Sequence, residues 1–597
     1  MKQFFTENGV SIRTHAGDAM TLLAFDLDQS LTKNFVGFTV QFKAGNRSAF
    51  LYNRMTFKDD IILPNQPANK NERLSSEFSP IQKYRWVHVP STRNFIDRPF
   101  FGEYTYTVTP RYVVNNQLEK LDPNLSASAT VNVQPFKKGA LSLSFTRAFL
   151  SSQAYAANFG NKLTLRPKNK DLVFDIKAVS GTAKRWNKTK KAFEDVDFTY
   201  EEQHKYLGWQ ARERVMEMLD EVLADDKLKL DVFAYDLNEP EIVTKLIKLA
   251  QKGRVRIILD NYPNHVEPDS WETKFESLFN QEAANKADLF RGHYQSQSHS
   301  KIFIVRKNNA GGEAVKVLTG STNFTTNGLY INANHTIVID DREVAQLYAD
   351  VFDNSLSDEL MDNFKKSKFA SQDYNFKTAS VPEMTIRFSP HGKDFTTEFF
   401  KTISDRIKAA ESDVLFAIMI DNSKSSILDA VREQIDNENV FTYGITDERD
   451  NIKLYKPNSK RGIRISALNI ETNLPPPFNK IIKIGLGHVI HHKFIVVDFK
   501  GKNPVVYCGS SNLAFGPEQK NGDNLIEIHD RDVVTAFAIE AIRLIDHFHW
   551  LNRKITDQEK QAGYSLRDGR EPYNWYAPYY KDSDLKFVER NLLIKKT

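Results

Sequence analysis

One short pattern, written twice and 192 positions apart (491 − 299), limits what this chain can fold into. The first copy reads His299-Ser300-Lys301, an apolar run Ile302 to Val305, then Gly320-Ser321-Thr322-Asn323. The second reads His491-His492-Lys493, an apolar run Phe494 to Val497, Asp498, then Gly509-Ser510-Ser511-Asn512. Two residues of spacing put an imidazole and an ammonium on the same side of an extended strand. A Gly-Ser-x-Asn turn then follows at the end of the next strand. A histidine, a lysine, a hydroxyl and an amide, each supplied twice, suit a phosphate diester.

With 597 residues the chain is too long for one core, and roughly three or four domains are expected. Hydrophobic residues make up 41% and charged residues 26%, as in globular proteins. A formal charge of +5 permits a polyanionic partner without demanding one. The single cysteine, Cys508, excludes an internal disulfide and a cysteine-based metal cluster. It stands on the apolar strand entering Gly509 and reads as a buried, inert thiol. Met1 to Asn8 leads into no apolar signal-like segment, and no apolar run is long enough to span a bilayer. The expected compartment is reduced and cytoplasmic.

Residues 1–150 carry alternating strands, such as Phe38 to Phe42, Tyr104 to Thr109 and Ala127 to Val133, and predict an all-β sandwich of immunoglobulin or fibronectin type. The expectation for this region is docking or scaffolding, with a protein partner. Residues 151–204 form an introducing segment. Within it Lys177 to Lys191 is basic and reads as a solvated linker, with a polyanion-contacting patch as the alternative. From about 205 helices and strands alternate: helix Gly208 to Leu223, strand Leu228 to Ala234, a helix opened by Asn238 as N-cap with Pro240 and Glu241, and strand Arg254 to Leu259. The order recurs after the polar stretch Met361 to Ser380: helix Phe395 to Ala410, strand Val414 to Ile420, helix Ser425 to Ile435, strand Val440 to Ile445, strand Leu525 to Ile528 and helix Val533 to Trp550. Thr336 to Ile339 and Arg342 to Phe352 match the last two in the first half. The chain therefore predicts a duplicated α/β unit, at 205–360 and 361–560, before a C-terminal tail at 561–597.

The duplicated His-x-Lys with Gly-Ser-x-Asn, completed in the second copy by Asp498, resembles the phospholipase D superfamily of phosphodiesterases over about residues 205 to 555. The run Phe149 to Tyr155 is similar to the segment that introduces this domain in large bacterial phospholipase D-like proteins. The resemblance implies two lobes packed as a pseudo-dimer with both histidines facing one phosphate. It implies His299, Lys301, His491 and Lys493 as catalytic residues, and Ser321, Asn323, Ser510 and Asn512 as phosphate-binding donors. The chemistry of these groups agrees. An imidazole can form a phosphohistidine, and a second can protonate the leaving alkoxide and then deprotonate water. No metal or other cofactor is expected.

Eleven positions past each motif asparagine lie Asn334 (334 − 323) and Asp523 (523 − 512), the positions that in the family hold an imidazole. A carboxylate beside an imidazole raises its pKa, so Asp523 is expected to serve His491 as the acid, and Asn334 to leave His299 as the nucleophile. Asp498 reads as a structural element behind the site. Arg306 stands at its place in the first copy, which makes a degenerate first lobe the competing reading. His488, His491 and His492 read as unconnected with zinc. His492 should point away from His491, the His547 to Trp550 cluster should pack, and Ile594 to Thr597 should fray. The expected activity is metal-independent, phospholipase D-type cleavage of phospholipid headgroups. A nuclease acting on DNA or RNA is the alternative, and a non-catalytic phosphate-binding protein the third reading.

Overall fold

The computed structural model describes residues 3–53, 55–65, 67, 72–90, 99–147, 155, 158–160, 164–168, 171–187, 190, 192–357, 363–420, 424–448, 452–456, 461–465, 489–551, 565–571 and 574–595. Phe149 to Ala154, His488 and the last two residues fall outside this set.

The N-terminal region is a sandwich of two antiparallel sheets. One pairs Phe4–Glu7, Val10–Ala16, Thr21–Leu27 and Arg85–His88. The other is built on Phe35–Ala44 and Gly102–Val114, flanked by Arg47–Phe50 and Ala127–Val133. Ala127–Val133 buries every second residue, as its alternation predicts. Phe25, Phe38, Val40, Tyr104, Tyr106 and Val131 fill the space between the sheets.

The C-terminal segment is not a tail where it is described. Leu566 donates its amide to Thr56 O, Trp575 and Tyr576 pack on Phe35, and Tyr580 shares a 2.7 Å hydroxyl bond with Tyr84. The helix Leu585–Ile594 then lies on the sandwich, with Glu589 2.6 Å from Arg85 and Ile594 O accepting from Arg13. Ile594 is thus buried rather than frayed. Basic residues around Lys184 also escape the linker reading. Val179–Asn187 pairs with the acidic strand Ala192–Thr199, where Glu194 and Asp195 meet Lys190 and Lys184.

Two mixed sheets make up the rest. The first contains β1 (Phe136–Lys138), β2 (Leu141–Phe145), β3 (Leu228–Ala234), β4 (Val255–Leu259), β5 (Asp288–Arg291), β6 (Ile302–Lys307), β7 (Ala314–Gly320) and β8 (His335–Ile339). The second contains β9 (Tyr374–Phe376), β10 (Met384–Phe388), β11 (Asp413–Met419), β12 (Phe441–Asp447), β13 (Ile452–Tyr455), β14 (Ile463–Ile465), β15 (Lys493–Val497), β16 (Val505–Gly509) and β17 (Asn524–Ile528). Their strand orders correspond: β1-β2-β8-β7-β6-β3-β4-β5 against β9-β10-β17-β16-β15-β11-β12-β13-β14. Each sheet therefore opens with a hairpin lent from upstream. The hairpin at 136–145, placed by sequence in the sandwich, belongs to the first lobe, because Leu141 to Phe145 pairs with β8. Buried Asp18 welds the two regions, its carboxylate accepting the amides of Phe136 and Phe145 at 3.0 and 3.1 Å.

The longer helices of the two lobes are α1 (Tyr200–Ala224), α2 (Pro240–Gln251), α3 (Trp271–Ala283), α4 (Arg342–Ser357), α5 (Lys393–Lys408), α6 (Ser426–Ile435) and α7 (Arg531–Leu551). The cap of α2 is Glu239 rather than Asn238. Its side chain takes the Ile242 amide at 2.7 Å, while Asn238 Oδ1 accepts from Thr326. Strand periodicity decides how the layers stack. In β6, Ile302 and Ile304 face a core shared with the second lobe, whereas Phe303 and Val305 face α1 and α2. In β15, Phe494 and Val496 face the shared core, and Ile495 and Val497 face α5 and α6. Residues of α4 and α7 line that shared core.

Phe537 of α7 touches Phe145, His335 and Phe494, one ring from each of three segments, with centroids 5.0 to 5.4 Å apart. Phe537→Ala is expected to lower stability by about 3–5 kcal/mol, read from urea unfolding. A change below about 1 kcal/mol would mean that the lobes are not joined through this ring.

Candidate functional site

Both motifs sit where strands of the two lobes end against each other. Gly320 and Gly509 close β7 and β16 at φ 140° and 136°, and a Cβ on either would lie 2.4 Å from the carbonyl of His335 or Asn524. Only glycine allows that approach. The lobes then exchange backbone bonds reciprocally. His491 N donates to Ala333 O and Ala333 N to Val489 O, at 3.0 and 2.7 Å. On the other side Gly522 N donates to Gln297 O at 2.8 Å. Thr319 and Asn524 add side-chain bonds across the same seam.

This seam crosses the pairing of the histidines. His299 Nδ1 lies 2.7 Å from Asp523 Oδ1, and His491 Nδ1 lies 2.9 Å from Asn334 Oδ1. This overturns the expected pairing within each lobe, Asp523 with His491 and Asn334 with His299. Sequence spacing could not reveal that each holding residue reaches across the seam. His299 is buried, and desolvation pulls its pKa below the ordinary value despite Asp523. Its ring is therefore neutral near pH 7, with Nδ1–H donated to the carboxylate and Nε2 left as a lone pair.

Lys301 donates to His299 O, and its ammonium stands 4.9 Å from the Tyr235 ring. Burial lowers its pKa to about 8 against the pull of Asp523, Asp236 and Asp260. Lys493 Nζ lies 3.4 Å from His491 Nε2 and 3.1 Å from His491 O. Lys493 also contributes to depressing the His299 pKa, a coupling that crosses the seam.

The motif serines, expected to donate to phosphate, also bond within the protein. Ser321 Oγ donates to Asn334 Oδ1 at 2.8 Å and accepts the His335 amide, so it orients the residue holding His491. Ser510 Oγ accepts the Asn524 amide at 3.0 Å. Both hydroxyls pin their turns. Asn323 donates to Asp236 at 2.7 Å, and the side-chain oxygens of Asn323 and Asn512 are buried without a partner.

Asp498 directly follows β15 and is buried. It accepts the amides of Glu411 and Ser412 and pairs with Arg406 at 2.8 Å. Arg306, at the aspartate's place in the first copy, is a paired charge. Its guanidinium binds buried Asp231, Asp353 at 2.8 Å and the Ala349 carbonyl. The first lobe thus anchors its strand with the charge signs reversed. His492 points away from His491 and meets Glu540 at 3.2 Å, under a His335 ring stacked at 5.6 Å. His547 is buried. Cys508 is buried too, and desolvation raises its thiol pKa.

Sequence reasoning missed a cluster flanking the first histidine: Tyr235, Asp236, Asp260, His265 and Glu272. Its available signal was Asp260, which follows β4 as Asp447 ends β12. Asp260 accepts the Ser298 amide, and Asp447 accepts those of Val489 and Ile490, so each fixes the backbone just before a motif histidine. Among the described residues, Asp236, His265 and Glu272 could present three metal ligands, as could His204, Glu239 and Glu241. In both sets the donors already serve the protein. His265 bonds two aspartates, Glu239 caps α2, and Glu241 pairs with Arg212.

These duplicated strand ends define a site of two phospholipase D-like domains. The family described as cardiolipin synthase, PLD-like domain, matches residues 221–356 and 403–545. Both lobes therefore carry a phospholipase D-like domain. The chain is 33% identical over 116 residues to a "Phospholipase D" of Rickettsia prowazekii, covering 19% of this chain and 49% of that protein. A "Phospholipase D" of Rickettsia conorii is 32% identical over 126 residues, covering 21% and 56%. The chain thus spans about half the length of these curated relatives. Among solved structures, phosphatidylserine synthase of Haemophilus influenzae is similar at 12% identity, 56% of this chain, 84% of that chain and a TM-score of 0.39.

The Lys301 ammonium loses its proton as pH rises through about 8. Calorimetric affinity for inorganic tungstate, a phosphate mimic, is expected to fall over that interval. The Lys301→Gln variant should bind weakly and show a flatter pH dependence. Affinity holding to pH 10 in the unmodified protein would contradict a role for this charge.

Proposed function

We propose that the two lobes pack as a pseudo-dimer around one phosphodiester and hydrolyse it through a phosphohistidine. The observation supporting this most directly is the crossed clasp, in which each motif histidine is held by a residue of the opposite lobe. His299 is the nucleophile, now on grounds other than those expected. Its ring is neutral, and Asp523 fixes the tautomer that frees Nε2. The same carboxylate offsets the positive charge that the imidazole gains on phosphorylation.

His299 Nε2 attacks phosphorus, and the P–O bond to the leaving alcohol breaks. His491, protonated at Nε2, gives that proton to the departing oxygen. A water then enters, His491 takes its proton, and the hydroxyl displaces His299 by breaking the P–N bond. Neutral His299 and a phosphomonoester result. The amide oxygen of Asn334 accepts the His491 Nδ1–H in either charge state of the ring, which suits a group that must give and take a proton. Lys301 and Lys493 offset the phosphoryl oxygens, and the side-chain amides of Asn323 and Asn512 supply further donors. No step calls for a metal.

The substrate class is a phospholipid, cleaved on its headgroup side. The two halves of the site are chemically unlike, with a carboxylate behind one histidine and an amide behind the other, and this favours a diester with two different arms. Among the described residues no helix is long and apolar enough to cross a membrane, so lipid would be met at its surface. A nuclease is the second reading, carried by the symmetry of the phosphate-facing groups.

Rapid quenching with radiolabelled phosphatidylcholine or phosphatidylglycerol vesicles in EDTA is expected to leave label on His299. His299→Ala should abolish headgroup release, and His491→Ala should slow it by about 10²–10⁴-fold. Cleavage of oligonucleotides but not of vesicles moves the substrate to nucleic acid. Label on His491 reverses the two roles.

A further inference from the structure

The cluster beside the first motif forms one continuous chain of hydrogen bonds. Asn323 Nδ2 donates to Asp236 Oδ2 at 2.7 Å. Asp236 Oδ1 is 3.0 Å from His265 Nε2, and His265 Nδ1 is 2.6 Å from Asp260 Oδ2. Asp260 Oδ1 accepts the Ser298 amide at 2.5 Å, one residue before His299. The Tyr235 ring stands edge-on to both imidazoles, 4.7 Å from His265 and 4.8 Å from His299. These residues come from the ends of β3 and β4 and the loop after β4.

Both nitrogens of His265 face carboxylate oxygens, and an ionised carboxylate only accepts. The ring can satisfy both contacts only as an imidazolium. We propose that His265 is a permanently charged positioning residue: an imidazolium that ties the phosphate-binding Asn323 to the backbone delivering His299. This rests on the hydrolytic reading above. Removing the charge would leave Asp236 and Asp260 facing each other across an uncompensated gap, and their repulsion would act on Asn323 at one end and Ser298 at the other.

The surroundings favour that charge. Asp236 and Asp260 act through their bonds, and Glu272 on α3 adds to the negative field. The Tyr235 phenol and the Lys301 ammonium lie on the site side, and Arg291 donates to the His265 carbonyl. Burial pushes the ring's pKa down, but the two aspartate bonds outweigh it and hold the pKa at about 10.

The test uses the full chain and its His265→Ala and Asp260→Asn variants. Nitrogen-detected NMR of the imidazoles should show both His265 nitrogens protonated from pH 6 to pH 9. A neutral His265 ring at pH 8 overturns the proposal. With the chromogenic diester bis(p-nitrophenyl) phosphate, His265→Ala should lose about tenfold or more in kcat while KM stays within about threefold. Asp260→Asn keeps an oxygen for Ser298 but turns a donor on His265, and should show the same split. Added imidazole should restore part of the His265→Ala rate. A His265→Ala variant that keeps more than half of the kcat overturns the proposal. If the unmodified protein cleaves no diester, the hydrolytic reading fails by itself. The His299 ring signals still decide the clamp, since they should shift in His265→Ala and stay fixed if His265 positions nothing.

Discussion

The crossed clasp of two imidazoles is the interaction on which the site depends. Asp523 reaches from the second lobe to His299, and Asn334 reaches from the first to His491. The Nδ1 atom of each ring is bonded from the opposite lobe. The same seam carries reciprocal backbone bonds at Ala333 and Gly522 and a hydrophobic core common to both sheets. Non-directional burial brings the lobes together, and the hydrogen bonds fix their register. Slipping a motif strand by one residue within its own sheet would turn its side chains to the opposite face and break the clasp that it carries.

Charge inside this core is arranged in closed sets. Asp498 is satisfied by Arg406 and two amides, and Arg306 at the matching place by Asp231 and Asp353. The two solutions have opposite signs and the same purpose, which is to anchor the end of a motif strand. His492, Glu540 and Arg543 form a third set under the second motif, and the Arg543 guanidinium reaches the Thr146 carbonyl behind β2. A buried ion is tolerated when its partners are complete and costs several kcal/mol when they are not. Arg306 meets that condition through Asp231, Asp353 and the Ala349 carbonyl.

The all-β region is built into this assembly. Asp18 holds both strands of the hairpin that begins the first sheet, and the C-terminal aromatics Trp575 to Tyr580 return to cover the sandwich. The described residues nearest each end, Phe4–Glu7 and Leu585–Ile594, therefore belong to one body. The all-β region thereby supports the edge of the first lobe's sheet.

The sequence by itself determined the duplication, the order of helices and strands, and the residue types at the site. Each of these is written in local period and spacing: alternation in Ala127 to Val133, helical stripes in α5 and α7, and a two-residue step from His299 to Lys301. It also placed His492 away from His491, because strand neighbours point to opposite faces. Only the tertiary structure decided which imidazole meets Asp523, that Ser321 bonds Asn334, how Arg306 is neutralised, and that one Tyr235 ring touches both His265 and His299. All four depend on contacts between segments distant in the chain, and nothing in local spacing encodes which distant strand end arrives opposite which.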